Sequence, residues 1–391
     1  MVFDLQLYLR HFAAAVARAG KQGNRLSVRR FFLLLFLFIF YPLYELLHRA
    51  GFLLDRIFFP DFLKREVEAP VFILGNFRSG STFLQRLLAR DRSTFTGIKT
   101  WEIYFAPSIT QRKLVRLFFQ IDRLLGSPIK QRILAFEKRS LKTVEIHHMG
   151  FQEEEEDEGL FTHQWTSVLL WFLMPFRDIN RPLLAFDENI PEKRRKKLIR
   201  WYRHCVQRHM HAHPESAVYF SKSPSFSPKI RSLLEEFPRA RFVYLARTPY
   251  EVIPSVMNWF TIAWNFFNTP GERYPYPDLV MEMVQRWYHY PLSVLDSLPP
   301  DQALILRYDD FVADPESTVI ELYRRFGLEM SPAFAARLSA MAKEAKNYWS
   351  PNVLSLKADG IDPEEIRHRF AHVFERFGFS AEFREHPDSV E

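Results

Sequence analysis

From residue 69 onward the chain alternates short continuous apolar runs with stretches whose apolar positions recur every three to four residues. Residues 70–75 read P-V-F-I-L-G, and comparable runs occupy 217–220, 241–246 and 303–306. A strand covered on both faces has no solvent side to keep polar, so it reads as an unbroken apolar run. These four are predicted strands of a mainly parallel sheet. Leu198, Trp201, Tyr202, Cys205, Val206, His209 and Met210 share one face of a 3.6-residue period and predict an amphipathic helix. Residues 228–237, 249–260 and 315–326 each open on proline, whose fixed φ and missing N–H suit a first helical turn. Thr248 and Glu251 have capping-box spacing, and Asp314 precedes Pro315 as another helix start. A last helix over 363–377 puts Ile366, Phe370, Val373, Phe374 and Phe377 on one face. Strands alternating with helices predict an α/β fold.

A different pattern precedes this region. Residues 1–30 carry six Arg or Lys against one acid, and residues 31–44 then run fourteen positions without a charge. As a helix those fourteen reach about 21 Å, short of the roughly 30 Å hydrocarbon core of a bilayer. Glu45, His48 and Arg49 follow, then a second apolar burst over 51–60 interrupted by Asp55 and Arg56. The pattern predicts a basic, aromatic-rich helical segment that associates with a membrane surface through residues 25–60. A single-pass span flanked by Arg29 and Arg30, and a helix buried in a soluble core, are the alternatives. About thirty residues lie before the apolar run, which argues against a cleaved signal peptide. The expected organisation is a basic arm and membrane-associating segment over 1–68, a catalytic core over 69–330, and a helical closing segment of the same domain over 331–391.

Composition narrows the chemistry. With 391 residues, 47% apolar and 25% charged, the chain can bury a substantial core. A single cysteine, Cys205, excludes an intramolecular disulfide framework and a Cys-rich zinc site, and no metal is expected. The net charge of +7 suits an anionic partner. The basic run over 192–197 reads as the solvated start of the helix already described, so no nucleic-acid partner is expected.

The first predicted strand leads into Gly75-Asn76-Phe77-Arg78-Ser79-Gly80-Ser81-Thr82, followed by a helical pattern at Phe83, Leu84, Leu87 and Leu88. The spacing G-x4-G-S-T is P-loop-like, with Ser81 in the lysine position and the cation moved to Arg78 inside the loop. Backbone N–H groups at a helix start and the helix dipole favour an anion there. Ser79, Ser81 and Thr82 add hydroxyl donors, and Arg78 adds a planar charged fork. An NTPase normally uses the missing lysine on its β/γ-phosphates, so this loop suits another phosphate arrangement.

R-S-G-S-T after a buried strand resembles the donor loop of sulfotransferases that use 3′-phosphoadenosine-5′-phosphosulfate (PAPS), especially bacterial and glycan-type members. The resemblance covers roughly residues 69–330 and implies a P-loop-like three-layer α/β fold, with Arg78, Ser79, Gly80, Ser81, Thr82 and Phe83 around the donor's 5′-phosphosulfate. A second motif is similar to the family's 3′-phosphate site: Arg247 ends the 241–246 strand, Pro249 follows, and Ser255 lies eight residues beyond Arg247. Arginine pairs bidentately with phosphate, and the strand end opens on the crevice where such folds bind ligands. The resemblance gives Lys222 the part of the cation beside the transferring sulfuryl group, and Lys346 that of a further 3′-phosphate ligand. The segment 306–311, L-R-Y-D-D-F, resembles a structural motif of the family.

The histidine that follows this lysine in cytosolic relatives is missing; the stretch reads Ser223-Pro224-Ser225-Phe226. Candidate bases are His148 and the carboxylates Glu156 and Glu158 of the acid run over 153–158, which resembles a P-[QE]-E-D-E stretch in bacterial relatives. Mutual repulsion within six acids favours a carboxylate able to take a proton near neutrality. A solvated acidic loop is the plainer reading of that run. The function this implies is transfer of a sulfuryl group from PAPS to a lipid, glycan or small-molecule hydroxyl, releasing 3′,5′-ADP. A P-loop-type kinase using ATP and Mg²⁺ and a membrane-attached nucleotide-binding protein without activity are the rival readings. The expected location is cytoplasmic and membrane-associated, with a type II Golgi orientation as the eukaryotic alternative.

Overall fold

A computed structural model describes residues 3–19, 27–140, 150–214, 217–267, 274–345, 356 and 360–383. Its centre is a five-stranded sheet in which every pairing is parallel: β1 (Val71–Gly75), β2 (Phe95–Thr96), β3 (Val218–Lys222), β4 (Arg241–Ala246) and β5 (Ala303–Arg307), in the spatial order β2-β3-β1-β4-β5. Alternate residues of β1 and β4 point to opposite faces. Phe72, Leu74, Phe242 and Tyr244 enter one buried cluster, and Val71, Ile73, Val243 and Leu245 enter another. Both faces are covered by helices, which explains the unbroken apolar strands and makes the three-layer α/β architecture.

The predicted strands are present within two residues of their expected ends. β3 runs two residues further than expected and takes Lys222 as its last residue. The edge strand β2 was not predicted; two residues are too short to carry a period. The 228–237 helix begins later, at Ile230, because Pro224–Lys229 forms a 3₁₀ segment containing Pro228. The 363–377 helix breaks at Phe370 into Pro363–Arg369 and Ala371–Phe377, and Ile366, Phe370, Val373 and Phe374 pack into the main core.

Residues Val28–Phe58 form one long helix, long and apolar enough to cross a membrane. It includes a π turn at Phe36–Phe40, and Pro42 sits just beyond it. Pro42 has no N–H to return to the preceding turn, and Tyr8 Oη donates instead to Leu37 O and Phe38 O, both at 3.2 Å. Both ends of this helix are tied to the same body. Arg30 Nη1 donates to Leu173 O at 2.5 Å near one end, and Asp55 pairs with Arg208 at 2.8 Å near the other. Between them Glu45 meets His163 at 2.7 Å. The Leu5–Ala17 helix packs beside it around Trp165.

Candidate active site

The loop after β1 is shaped by positions with positive φ: Gly75 at +147°, Arg78 at +66° and Gly80 at +86°. A Cβ on Gly75 would lie 2.7 Å from Ser79 Oγ and 2.8 Å from Leu245 O, and one on Gly80 would strike the Tyr308 ring. The two glycines of the motif thus stand where no side chain fits. Ser227 holds the loop's base, donating to Gly75 O at 2.7 Å and accepting from Gly75 N at 3.3 Å. The loop opens the Ser81–Leu88 helix, with Ser81 buried and Thr82 half-buried in its first turn. Ser79 Oγ is buried with no hydrogen-bond partner among the described residues. An unpartnered buried hydroxyl beside a helix start fits a phosphate oxygen. Phe83 packs on Phe311 with ring centres 5.1 Å apart and donates its N–H to Gly80 O at 3.0 Å.

Arg78, Arg247 and Ser255 come from three elements and meet. Arg78 Nε donates to Ser255 Oγ at 2.9 Å, and Arg247 Nη1 donates to Arg78 O at 3.1 Å. Arg247 Nε is held by Glu251 at 2.5 Å, and its guanidinium lies over the Tyr308 ring, 4.4 Å from the centroid. Glu251 and Tyr308 were missed as site residues. Their signals in the sequence are the i,i+4 spacing from Arg247 and the tyrosine of the L-R-Y-D-D-F segment.

On the other side of β1, Lys222 is paired in register with Ile73. Its Nζ lies 2.6 Å from Glu156 Oε1, with the lysine side chain 2% exposed and the glutamate 15%. The acid run that delivers Glu156 is not a solvated loop. The backbone of Glu154 forms an isolated antiparallel bridge with that of Lys99, and Asp157 accepts from the hydroxyls of Tyr202 and Tyr219 at 2.5 Å each. Burial pushes the Asp157 carboxyl up to about 6. Glu155 is also raised, by burial first, with Lys222 opposing the shift. Glu158 is fully buried. One oxygen accepts from Val168 N at 2.7 Å, and the other meets Lys229 Nζ at 2.5 Å and Ser225 Oγ at 3.2 Å. Burial lowers the Lys229 ammonium, partly offset by Glu158.

These strand ends, β1, β3 and β4, converge where successive connections leave in opposite directions, the place where parallel α/β sheets bind ligands. Residues 70–332 match the sulfotransferase family. The chain belongs to the sulfotransferase family.

Among its relatives, the omega-hydroxy-beta-dihydromenaquinone-9 sulfotransferase Stf3 of Mycobacterium tuberculosis (strain CDC 1551 / Oshkosh) is 24% identical over 323 residues, 80% of this chain and 76% of the relative. The crystal structure of sulfotransferase STF9 from Mycobacterium avium matches with a TM-score of 0.76 at 18% identity, covering 98% of this chain and 94% of that one. Sulfotransferase STF1 from Mycobacterium tuberculosis H37Rv matches with a TM-score of 0.68 at 19% identity, covering 94% and 92%. These likenesses support the P-loop-like fold, and the family assignment sets aside the kinase and inactive-binder readings.

Within this sulfotransferase the predicted residues separate into groups. Arg78, Ser79, Gly80, Ser81, Thr82, Arg247 and Ser255 share one loop-and-strand-end region, and Lys222 joins Glu156 on the far side of β1. Glu158, expected as a candidate base, is locked between Lys229, Ser225 and the Val168 N–H. His148 and Lys346 lie outside the described residues. Lys229 and Ser227 escaped the sequence reading because nothing in S-P-S-F-S-P-K marks its buried side chains. Among the described residues no cluster of His, Cys, Asp and Glu could hold a metal ion.

Proposed function

We propose that the protein transfers a sulfuryl group from PAPS to the hydroxyl of an apolar, membrane-resident acceptor. The observation that carries this reading is the convergence of Arg78, Arg247 and Ser255 on one side of β1 with the Lys222–Glu156 pair on the other. Ser79, Ser81, Thr82 and the helix start hold the 5′-phosphosulfate, while Arg247 and Ser255 hold the 3′-phosphate. Glu156 takes the acceptor's hydroxyl proton, the oxygen attacks sulfur in line, and the bond from sulfur to the 5′-phosphate oxygen breaks to release 3′,5′-ADP. Lys222 neutralises charge on the leaving phosphate in a loose transition state. An ammonium has three donors, so it can keep Glu156 oriented while it meets the phosphate.

Glu156 is assigned the base because its carboxylate stands beside the proposed transfer lysine, whereas Glu158 already serves Lys229 and two further donors. An apolar acceptor is supported by the dihydromenaquinone in the name of the mycobacterial relative and by a large cavity beside β2. The exposed apolar helix Val28–Phe58 supports attachment to a membrane. Calorimetric titration of the full chain with 3′,5′-ADP tests the donor site. Tight binding lost in Arg78→Ala and Arg247→Ala, and not matched by ATP with Mg²⁺, is expected. Preference for ATP with Mg²⁺ would overturn the reading.

A further inference from the structure

Two helices of this chain are built inside out. The Ile109–Leu124 helix turns Arg112 and Asp122 inward and exposes Leu114, Leu117, Phe118, Ile121 and Leu124 on its outer side. The Val28–Phe58 helix buries Arg30, Glu45, His48 and Asp55 and exposes Phe31, Phe32, Ile39, Leu43, Leu46 and Leu53. Leu5–Ala17 buries Leu7, Tyr8, His11, Ala14 and Ala15 in the usual way but also exposes Leu5, Leu9, Phe12 and Val16. A helix resting on a soluble core in water does the reverse of the first two, and contiguous apolar patches of this size mark an interaction surface.

The first two helices are fixed to one another. Asp55 accepts from Ile109 N at 2.9 Å and from Thr110 N and Oγ1 at 2.8 Å, so the Val28–Phe58 helix caps the start of the Ile109–Leu124 helix. At Gly51 the side chain of Ser108 approaches so closely that a Cβ would lie 2.5 Å from its Oγ. Charge identifies what covers this face. Residues 109–136 expose Lys113, Arg116, Arg123, Lys130 and Arg132, while their one acid, Asp122, is buried and caps the Pro128–Ser140 helix through Ile129 N and Lys130 N. Apolar side chains rimmed by cations, with no exposed acid among them, complement a leaflet of anionic lipid.

A cavity of about 1370 Å³ opens between these helices and the sheet edge. It exceeds the roughly 300–1,000 Å³ that holds a drug-sized ligand. Its walls include Val115, Phe118 and Phe119 from one helix and Ile133, Leu134 and Phe136 from the next. Phe118 and Phe136 are at once exposed on the apolar face and part of the cavity wall. The lining also includes Gly97 and Glu154. Glu154 is two residues before Glu156, and Gly97 packs on Phe220, two residues before Lys222.

We infer that the chain docks on an anionic bilayer through this face and that the cavity admits an acceptor chain directly from the leaflet. The second half rests on the apolar-acceptor reading proposed above; the docking does not. Flotation of the full-length protein with phosphatidylcholine vesicles, with and without phosphatidylglycerol, tests the docking. Binding is expected only with phosphatidylglycerol. The triple variant Lys113→Gln, Arg116→Gln, Arg123→Gln should lose on the order of 100-fold in partitioning, at about fivefold per basic residue. Its melting temperature and 3′,5′-ADP affinity should stay unchanged. Wild-type binding in the triple variant, or no binding by the wild type, overturns the docking. Dimers in solution with no vesicle binding would assign the face to a second copy of the chain instead.

A photoreactive long-chain fatty alcohol carried in the vesicles tests the entry route. Phe95 and Thr96 line the cavity and are nearly buried, so label at these residues requires passage inside. Label confined to the outer helices overturns the entry route and leaves the docking standing. Because 3′,5′-ADP affinity is read separately, failure here is distinct from failure of the donor-site assignment.

Discussion

Replacing Glu156 by Gln separates a base from a mere partner of Lys222. The amide keeps the size of the side chain and an oxygen that can accept from Lys222 Nζ, now 2.6 Å from Glu156 Oε1. It cannot take a proton. Loss of a positioned base costs roughly 10²–10⁴ in rate, about 3–5 kcal/mol of transition-state stabilisation. The structural cost is smaller: a charge-assisted bond becomes a neutral one, worth about 1 kcal/mol. A folded domain absorbs that loss, so instability cannot imitate the rate effect. The assay is steady-state transfer from PAPS to a hydroxyl acceptor, with 3′,5′-ADP affinity measured in parallel. The expected result is a kcat lowered by at least about 100-fold with unchanged 3′,5′-ADP affinity, and loss of the limb of the pH–rate profile that reports base ionisation. A kcat within about threefold of wild type would refute the assignment. Lys222→Met should lower kcat comparably, and the double variant should fall short of the product of the two effects, because the residues act as a unit.

Other perturbations follow from the same geometry. Lys229→Met leaves Glu158 buried with its cation gone and should cost about 3–5 kcal/mol by urea unfolding, whereas Glu158→Gln in the same chain should recover part of that. Gly80→Ala forces a Cβ onto the Tyr308 ring at positive φ; a loss of about 1–3 kcal/mol in stability and weaker 3′,5′-ADP binding are expected by thermal melting and calorimetry. Asp157 titrates near pH 6 when folded against an ordinary 3.8. The folded state therefore holds this proton more tightly, and the group's contribution to stability falls as pH rises from about 4 to 6, by on the order of 3 kcal/mol. Asp157→Asn should remove that slope, seen as a smaller difference between unfolding free energies at pH 4 and pH 7 than in the wild type.

The parts of this molecule that were legible in the sequence are those where backbone geometry or burial forces a residue type. β1 and β4 read as apolar runs because both their faces are covered. The loop after β1 was readable because its glycines occupy places a Cβ would overfill, and Arg247 and Ser255 because their spacing on a strand end and the following helix is local. Partnerships between distant segments were not legible. Glu158 with Lys229, Asp157 with two tyrosines and Glu156 with Lys222 join residues at least 45 positions apart, and no pattern in six consecutive acids says which one meets which cation.

That same run shows how a site can be built from groups that repel. Six acids cannot share one solvated loop without mutual repulsion, and burying them unpaired would cost several kcal/mol each. The fold instead spreads three of them among separate partners: Asp157 sits between two hydroxyls, Glu158 is matched by Lys229 and Glu156 by Lys222. Three of these contacts tie the segment to β3 or the 3₁₀ turn that follows it, so the carboxylate proposed as the base is held by neighbours with other work. Pre-organisation of this kind is what the glutamate proposed as the base would need to stand in for the histidine that is missing after β3.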